Sequence, residues 1–353
     1  ADISPTIVSK KSISRLGFST SELYWSQTFL SATSDPIGLY GKLNAGVLLA
    51  ITPEHKTISS AQRASGRGDK PTSAAAGFSM QPAYRTIGGV KVRLAEGGKQ
   101  DGPTVLLLSP LPQSILAFDP IWTRLGEQSR LVALDLPGFG RSEGGVEFMT
   151  FEAQGRFLED FVNELGLEQV HIVGPDVGMA AALHYVIHSR HRAASLLIGD
   201  GPGIAPSHNG SVIDKMVHSG FWRMVFQIAG AGAFVEAANR LCYVNYVPKP
   251  EEVADYVASY DGRIGPVTQW FAKYPDSLAT VDPHLAEIDR PVKIFWGQLD
   301  QLLFVDNGQH LHERMKRSDL TVLKDCGHFS YQDKADEFAQ MVLDWVGGGF
   351  RAL

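Results

Sequence analysis

From residue 84 to its C-terminus the sequence predicts an α/β fold, a mostly parallel sheet with helices on both faces. Three observations carry this. Short, wholly apolar segments alternate with longer ones whose apolar residues recur every three or four positions. The short segments lack the polar alternation of a strand with one wet face, so they read as buried on both sides. The chain of 353 residues, 44% apolar and 20% charged, is also large enough to bury a sizeable core.

The first part of the chain reads differently. Residues 20–30 predict a short helix, opened by Ser19, Thr20 and Ser21 with Glu22 in its first turn. Asp35-Pro36, Gly38, Gly41 and Gly46 then break up any long element. Residues 61–76, with Gly66, Gly68, Pro71 and an Ala/Ser cluster, read as a flexible linker. It contains Arg67-Gly68-Asp69, a tripeptide that some adhesion receptors bind, although charged turn residues are ordinary in a solvated linker. Residues 1–82 are thus expected to be an N-terminal extension and linker.

The alternation begins with a hairpin, 84–87 and 90–96, joined through Gly88-Gly89. A fully apolar strand at 104–108 leads to a helix near 118–128. Strand 131–134 leads to helix 151–165, strand 170–173 to helix 177–189, and a strand follows at 194–198. The interruption at about 201–290 is rich in aromatics and reads as several helices. Such an insertion looks like a lid over the C-terminal ends of the strands, where α/β folds bind ligands. The alternation resumes with strand 292–296, helix near 308–316, strand 320–323 and helix 334–346. The domain reading is therefore a core of 83–200 and 291–353 with a helical lid of 201–290, inserted before the last two strands.

Composition excludes several functions. A net charge of −6 lacks the basic footprint of a nucleic-acid binder. Cys242 and Cys326 cannot form a disulfide framework, though one bridge stays open. The best apolar run, 45–51, is far too short to span a bilayer. No phosphate-cradling loop precedes a suitable helix, so no nucleotide cofactor is expected. His184 and His188 have metal-ligand spacing on one helix, but no third ligand is spaced to join them, and no metal is expected; His310 and His312 read the same way. Asn209-Gly210-Ser211 is a glycosylation sequon, meaningful only in a eukaryotic secretory route. A start at Ala1 suits a removed secretion signal, with a periplasmic or extracellular site as the expectation and the cytoplasm as the alternative.

The chemistry concentrates in three turns. Gly174-Pro175-Asp176-Val177-Gly178 lies between a strand and a helix, the setting of a nucleophile elbow, with aspartate at its centre. Trp296-Gly297-Gln298-Leu299-Asp300 places a carboxylate after a later strand, and Asp325-Cys326-Gly327-His328 places an imidazole after the last. Nucleophile, acid, then histidine is the order this elbow requires. A carboxylate is already ionised at pH 7, and a helix N-terminus favours that form. It can displace a leaving group at an alkyl carbon and so form an ester to the enzyme. His328 is the expected base that activates water against that ester. Its partner is expected to be Asp300, with Asp200, at the end of the preceding strand, as the alternative.

With Asp135-Leu136-Pro137-Gly138-Phe139-Gly140-Arg141-Ser142 after the fourth strand, these turns make the chain resemble α/β-hydrolases of the epoxide hydrolase and haloalkane dehalogenase group. The resemblance covers residue 84 onward. It implies an α/β-hydrolase fold without cofactor, acting on a small apolar organic substrate. It also implies oxyanion donors from the N–H groups of Val177 and Leu111, the latter in Ser109-Pro110-Leu111-Pro112, which lacks the family's His and Gly. Relatives that open epoxides use a lid tyrosine as acid, and Phe271 stands at the usual position. That leaves Tyr243, Tyr246, Tyr256, Tyr260 and Tyr274. Dehalogenases hold halide with a tryptophan after the nucleophile, and Val177 stands there, leaving Trp222 or Trp270 to substitute. Trp222, Tyr243, Tyr246, Trp270 and Phe271 are thus the expected substrate contacts. Epoxide hydrolysis is the first expectation and dehalogenation the second. A binding protein that has lost turnover is a third, which an intact Asp176 and His328 pair argues against. Homo-oligomers stay open.

Overall fold

The computed structural model describes residues 77–189, 192–204 and 211–353. The expected helix at 20–30, the linker at 61–76 with Arg67-Gly68-Asp69, and Asn209 and Gly210 of the sequon lie outside the described residues.

The hairpin forms from β1 (Ala83–Ile87) and β2 (Val90–Gly98). Then follow β3 (Thr104–Leu108), α1 (Asp119–Gly126), β4 (Arg130–Leu134), α2 (Phe151–Glu164), β5 (Val170–Pro175), α3 (Val177–His188) and β6 (Ala193–Gly199). Among the described residues, four inserted helices come next: α4 (Val212–His218), α5 (Gly220–Cys242), α6 (Pro250–Tyr260) and α7 (Ile264–Leu278). The core resumes with β7 (Val292–Gly297), α8 (Asp306–Arg314) and β8 (Ser318–Leu323). A short α9 (Ser330–Asp333), which periodicity did not signal, precedes α10 (Ala335–Val346).

Among the described residues the sheet has eight strands in the order β1-β2-β4-β3-β5-β6-β7-β8. It is antiparallel at β1/β2 and β2/β4 and parallel elsewhere. Successive residues of a strand face opposite sides, and Val105, Leu106, Leu107 and Leu108 are all fully buried. Both faces of the sheet are therefore covered at its centre, while the edge strands β1 and β8 are partly exposed. Helix α2 packs on α3, and α1 on α10. Phe338 of α10 meets Phe295 of β7 edge to face at 4.9 Å. The Thr150 hydroxyl caps α2 by accepting the Ala153 N–H at 3.2 Å.

The turn after β4 secures the chain near the site. Asp135 is fully buried and accepts the N–H groups of Ile115 (2.7 Å) and Arg141 (2.9 Å). Burial pushes its carboxyl up to about 6 against the pull of the Arg93 guanidinium. The free thiols of Cys242 and Cys326 are buried. His184 and His188 stack at 4.2 Å, and no cluster of three candidate metal ligands exists among the described residues.

One buried histidine makes the fold sensitive to acid. His171 on β5 meets the Ser195 hydroxyl at 2.7 Å, and that oxygen also accepts the Trp345 N–H. Desolvation, helped by Arg351, pushes its pKa down to about 4. Between pH 6.5 and 4 the unfolded chain takes up a proton that the native state refuses. The stability tied to neutral His171 is present above pH 6.5 and falls as pH drops, by up to about 3 kcal/mol at pH 4. His171→Gln is expected to shrink the fall in Tm between pH 7 and pH 5. An equal fall in both proteins would show that His171 takes no part in it.

Candidate active site

The strand-to-helix turn after β5 presents Asp176 at φ 49° and ψ −128°, a conformation that costs a non-glycine residue roughly 1–3 kcal/mol. Glycines make the turn possible. A Cβ on Gly174 would lie 2.6 Å from the Gly178 carbonyl oxygen, and one on Gly178 would lie 2.8 Å from the Leu108 Cβ. The turn aims the Asp176 carboxylate away from the sheet at the N-terminus of α3. Its Oδ2 accepts the Leu111 N–H at 3.1 Å, and the Val177 N–H lies close enough to lower the carboxyl pKa.

His328 follows β8 and is 2% exposed. Its Nδ1 lies 2.8 Å from Asp300 Oδ2, and its Nε2 lies 3.7 Å from Asp176 Oδ2. Asp300 Oδ1 accepts the N–H groups of Leu302 (2.8 Å) and Leu303 (3.1 Å), so the acid is locked by its own loop. A carboxylate on Nδ1 fixes the tautomer and leaves Nε2 toward Asp176. Burial disfavours the imidazolium, but Asp300 and Asp176 outweigh it and raise the His328 pKa well above its ordinary value. Desolvation raises the Asp176 pKa, while His328 and the Leu111 and Val177 N–H groups pull it back.

Asp200 does not take the place of Asp300. Its Oδ1 accepts the Gly297 N–H at 2.8 Å, and its Oδ2 has no hydrogen-bond partner. Burial and the nearby Asp300 charge raise its pKa well above its ordinary value, in the direction of a neutral acid.

Asp176 and His328 open onto a cavity of about 60 Å³ whose other lining residues are apolar, including Leu111, Met216, Phe226, Phe234 and Phe271. Of the expected substrate contacts only Phe271 lies there. Trp270 is packed into the core, 5.3 Å from Phe139 and 5.2 Å from Phe151. Trp222 rests on Phe221 at 5.8 Å. The expected tyrosine acids are turned elsewhere. Tyr243 bonds Gln113 and Gln332, and Tyr246 donates to Glu252. Tyr256 accepts from Gln332, Tyr260 donates to the Gln113 carbonyl, and Tyr274 donates to the Ile204 carbonyl. Each hydroxyl is buried or half-buried, where an unpartnered O–H is costly, and each has found a partner outside the cavity.

Sequence reasoning missed Val212, Ile213, Phe234, Leu241, Leu302 and Leu303 as lining residues. Leu302 and Leu303 carried a usable signal, because they follow Asp300 directly. The others are ordinary apolar residues of helices, with nothing to mark them.

A sequence profile of the α/β-hydrolase fold matches residues 103–335. A 2-hydroxy-6-oxononadienedioate/2-hydroxy-6-oxononatrienedioate hydrolase of Klebsiella pneumoniae is 25% identical over 230 residues, 62% of this chain and 76% of that protein. Among solved structures, a haloalkane dehalogenase from Bradyrhizobium elkani USDA94 superposes with a TM-score of 0.66 at 21% identity, over 78% of this chain and 100% of its own. An epoxide hydrolase superposes with a TM-score of 0.64 at 19% identity, over 76% of this chain and 99% of its own.

Proposed function

This chain belongs to the α/β-hydrolase fold family and is a hydrolase, and from that premise we propose that it cleaves an apolar alkyl electrophile through an ester on Asp176. One observation carries the reading. The Asp176 carboxylate borders an apolar cavity, receives the Leu111 N–H, and lies 3.7 Å from a histidine held by Asp300. A serine would need its proton removed before attack, and suits an acyl carbon. A carboxylate suits displacement at an alkyl carbon.

In the resting site His328 lies between two carboxylates, which raise its pKa and favour the imidazolium. An Asp176 oxygen attacks the substrate carbon, and the carbon's bond to its leaving atom breaks with the electron pair. Esterification removes the Asp176 charge, and with it one of the two carboxylates that hold the His328 pKa up. His328 then gives up its proton, to the alkoxide of an opened epoxide or to solvent where halide has left, and becomes the base. It takes a proton from water as the water oxygen attacks the ester carbonyl carbon. The Leu111 and Val177 N–H groups receive the oxyanion, and collapse releases the alcohol and restores the carboxylate.

Epoxide opening to a diol is the first reading, and the leaving alkoxide must then take a proton. Among the described lining residues only His328 could give one. Carbon–halogen cleavage is a second reading, favoured because halide leaves without a proton and no tyrosine hydroxyl among the described residues lines the cavity. The dienedioates named for the Klebsiella relative fit less well. Their carboxylates would be desolvated against apolar walls, and among the described lining residues only His328, which already faces Asp176, could offset their charge.

A single turnover in heavy-oxygen water tests the ester, with a panel of epoxides and haloalkanes. The label is expected in Asp176, and the first alcohol should carry unlabelled oxygen from that carboxylate. Label in the product alone would mean direct attack by water and would end the ester mechanism. The same panel reads the leaving group. Tyr→Phe changes at 243, 246, 256, 260 and 274 are each expected to leave ester formation within a few-fold of the parent. A loss of about a hundredfold in one well-folded variant would instead identify that tyrosine as the acid.

A further inference from the structure

Gln113 lies two residues beyond Leu111 and is completely buried. All of its hydrogen-bonding groups are engaged. Its N–H donates to the Pro110 carbonyl at 3.1 Å, and its carbonyl accepts the Tyr260 hydroxyl at 2.8 Å. Side-chain Oε1 accepts the Tyr331 hydroxyl at 2.6 Å. Side-chain Nε2 donates to the Tyr243 hydroxyl at 2.6 Å and to Gln332 Oε1 at 2.8 Å.

These partners come from two other parts of the molecule. Tyr243 and Tyr260 belong to the inserted helices and the chain that leaves them, while Tyr331 and Gln332 sit on α9, directly after His328. The segment that carries Leu111 is tied at its ends by the Ser109 N–H to the Leu134 carbonyl, and by the Ile115 N–H to Asp135. Between those ends two side chains anchor it, Gln113 and Ser114, whose hydroxyl donates to Asp255 Oδ2 at 2.6 Å. The position matters because an oxyanion donor acts only within about 2.7–3.1 Å of the oxygen it serves.

We propose that Gln113 is a positioning residue that couples docking of the inserted helices, through Tyr243 and Tyr260, to placement of the Leu111 N–H. The donor is then in place only while those tyrosines are seated, so substrate closure and ester hydrolysis are linked. Gln113 itself touches no substrate. The kinetic part of this inference rests on the ester reading above.

Two measurements on the full chain test it separately. The first needs no turnover. Amide exchange of the peptide spanning 109–115 is compared in the parent, in Gln113→Met, which keeps the side-chain bulk, and in Tyr243→Phe, which removes one hydroxyl. Exchange should rise about tenfold or more in Gln113→Met and less in Tyr243→Phe, with β5 peptides unchanged. The second measurement uses styrene oxide and 1-bromobutane as probes and times adduct formation on Asp176 apart from its hydrolysis. Gln113→Met should slow hydrolysis about ten- to hundredfold and leave adduct formation within a few-fold, a split that general loosening of the fold would not give. Unchanged exchange at 109–115, or equal slowing of both steps, overturns the coupling. If the parent forms no adduct but exchange responds as expected, the ester reading fails while the hold of Gln113 on Leu111 stands.

Discussion

Replacing His328 by glutamine is expected to leave the enzyme esterified. Attack by Asp176 needs no base, because the carboxylate supplies the electron pair itself. Hydrolysis does need one, and a neutral amide cannot take a proton from water. With 1-bromobutane, whose leaving halide needs no proton, the first step should therefore run at a rate near the parent's, while the second falls by about a hundredfold to ten-thousandfold, the usual contribution of a positioned base. Intact-mass measurement should find the chain heavier by the alkyl fragment, and peptide mapping should place it on Asp176. Normal turnover, or an adduct on another residue, would overturn the mechanism. The variant also tests the link between ester and base. In the parent, a lowered His328 pKa in the adduct should make hydrolysis reach its plateau at a lower pH than the His328 titration of the free enzyme.

The second large effect separates the two carboxylates beside His328. Asp300→Asn replaces the acceptor at Nδ1 with a neutral amide, which weakens both the orientation of the ring and the stabilisation of its charged form. Ester hydrolysis is expected to fall by about a hundredfold or more. Asp200→Asn keeps an oxygen to accept the Gly297 N–H and resembles the neutral acid that burial favours at that position. Its turnover is expected to stay within a few-fold of the parent. The reverse ranking, measured as hydrolysis rates of the pre-formed ester, would make Asp200 the working partner.

The contrast between Asp300 and Asp200 also marks where sequence reasoning stopped. Both residues end sheet strands, and both could be argued toward one histidine. Only the fold shows that the loop after β7 brings Asp300 to 2.8 Å, while Asp200 turns back to bind Gly297. The lid tyrosines teach the same lesson. The resemblance to epoxide hydrolases implied that one of them is an acid, yet their hydroxyls are drawn to Gln113, Gln332, Glu252 and the Ile204 carbonyl. Nothing local in a helix reveals which way a tyrosine will face, because its partner comes from a segment distant in the chain. The Gln113 cluster was invisible for that reason, since its side-chain partners lie 130, 218 and 219 residues away.

What the sequence determined by itself was the alternation of strands and helices from residue 84 and the strand-to-helix turn at Asp176, with candidate carboxylates and His328 placed after later strands. Those features are written locally. Apolar runs hidden on both faces make strands, three-and-four periodicity makes helices, and glycines make the crowded turn at Asp176 possible. The tertiary structure alone decided which carboxylate meets His328, which aromatic residues reach the cavity, and how the Leu111 N–H is held. Those outcomes depend on buried polar groups finding partners across long sequence separations. The cost of leaving such a group unpaired sets side-chain direction more firmly than any neighbour in the chain.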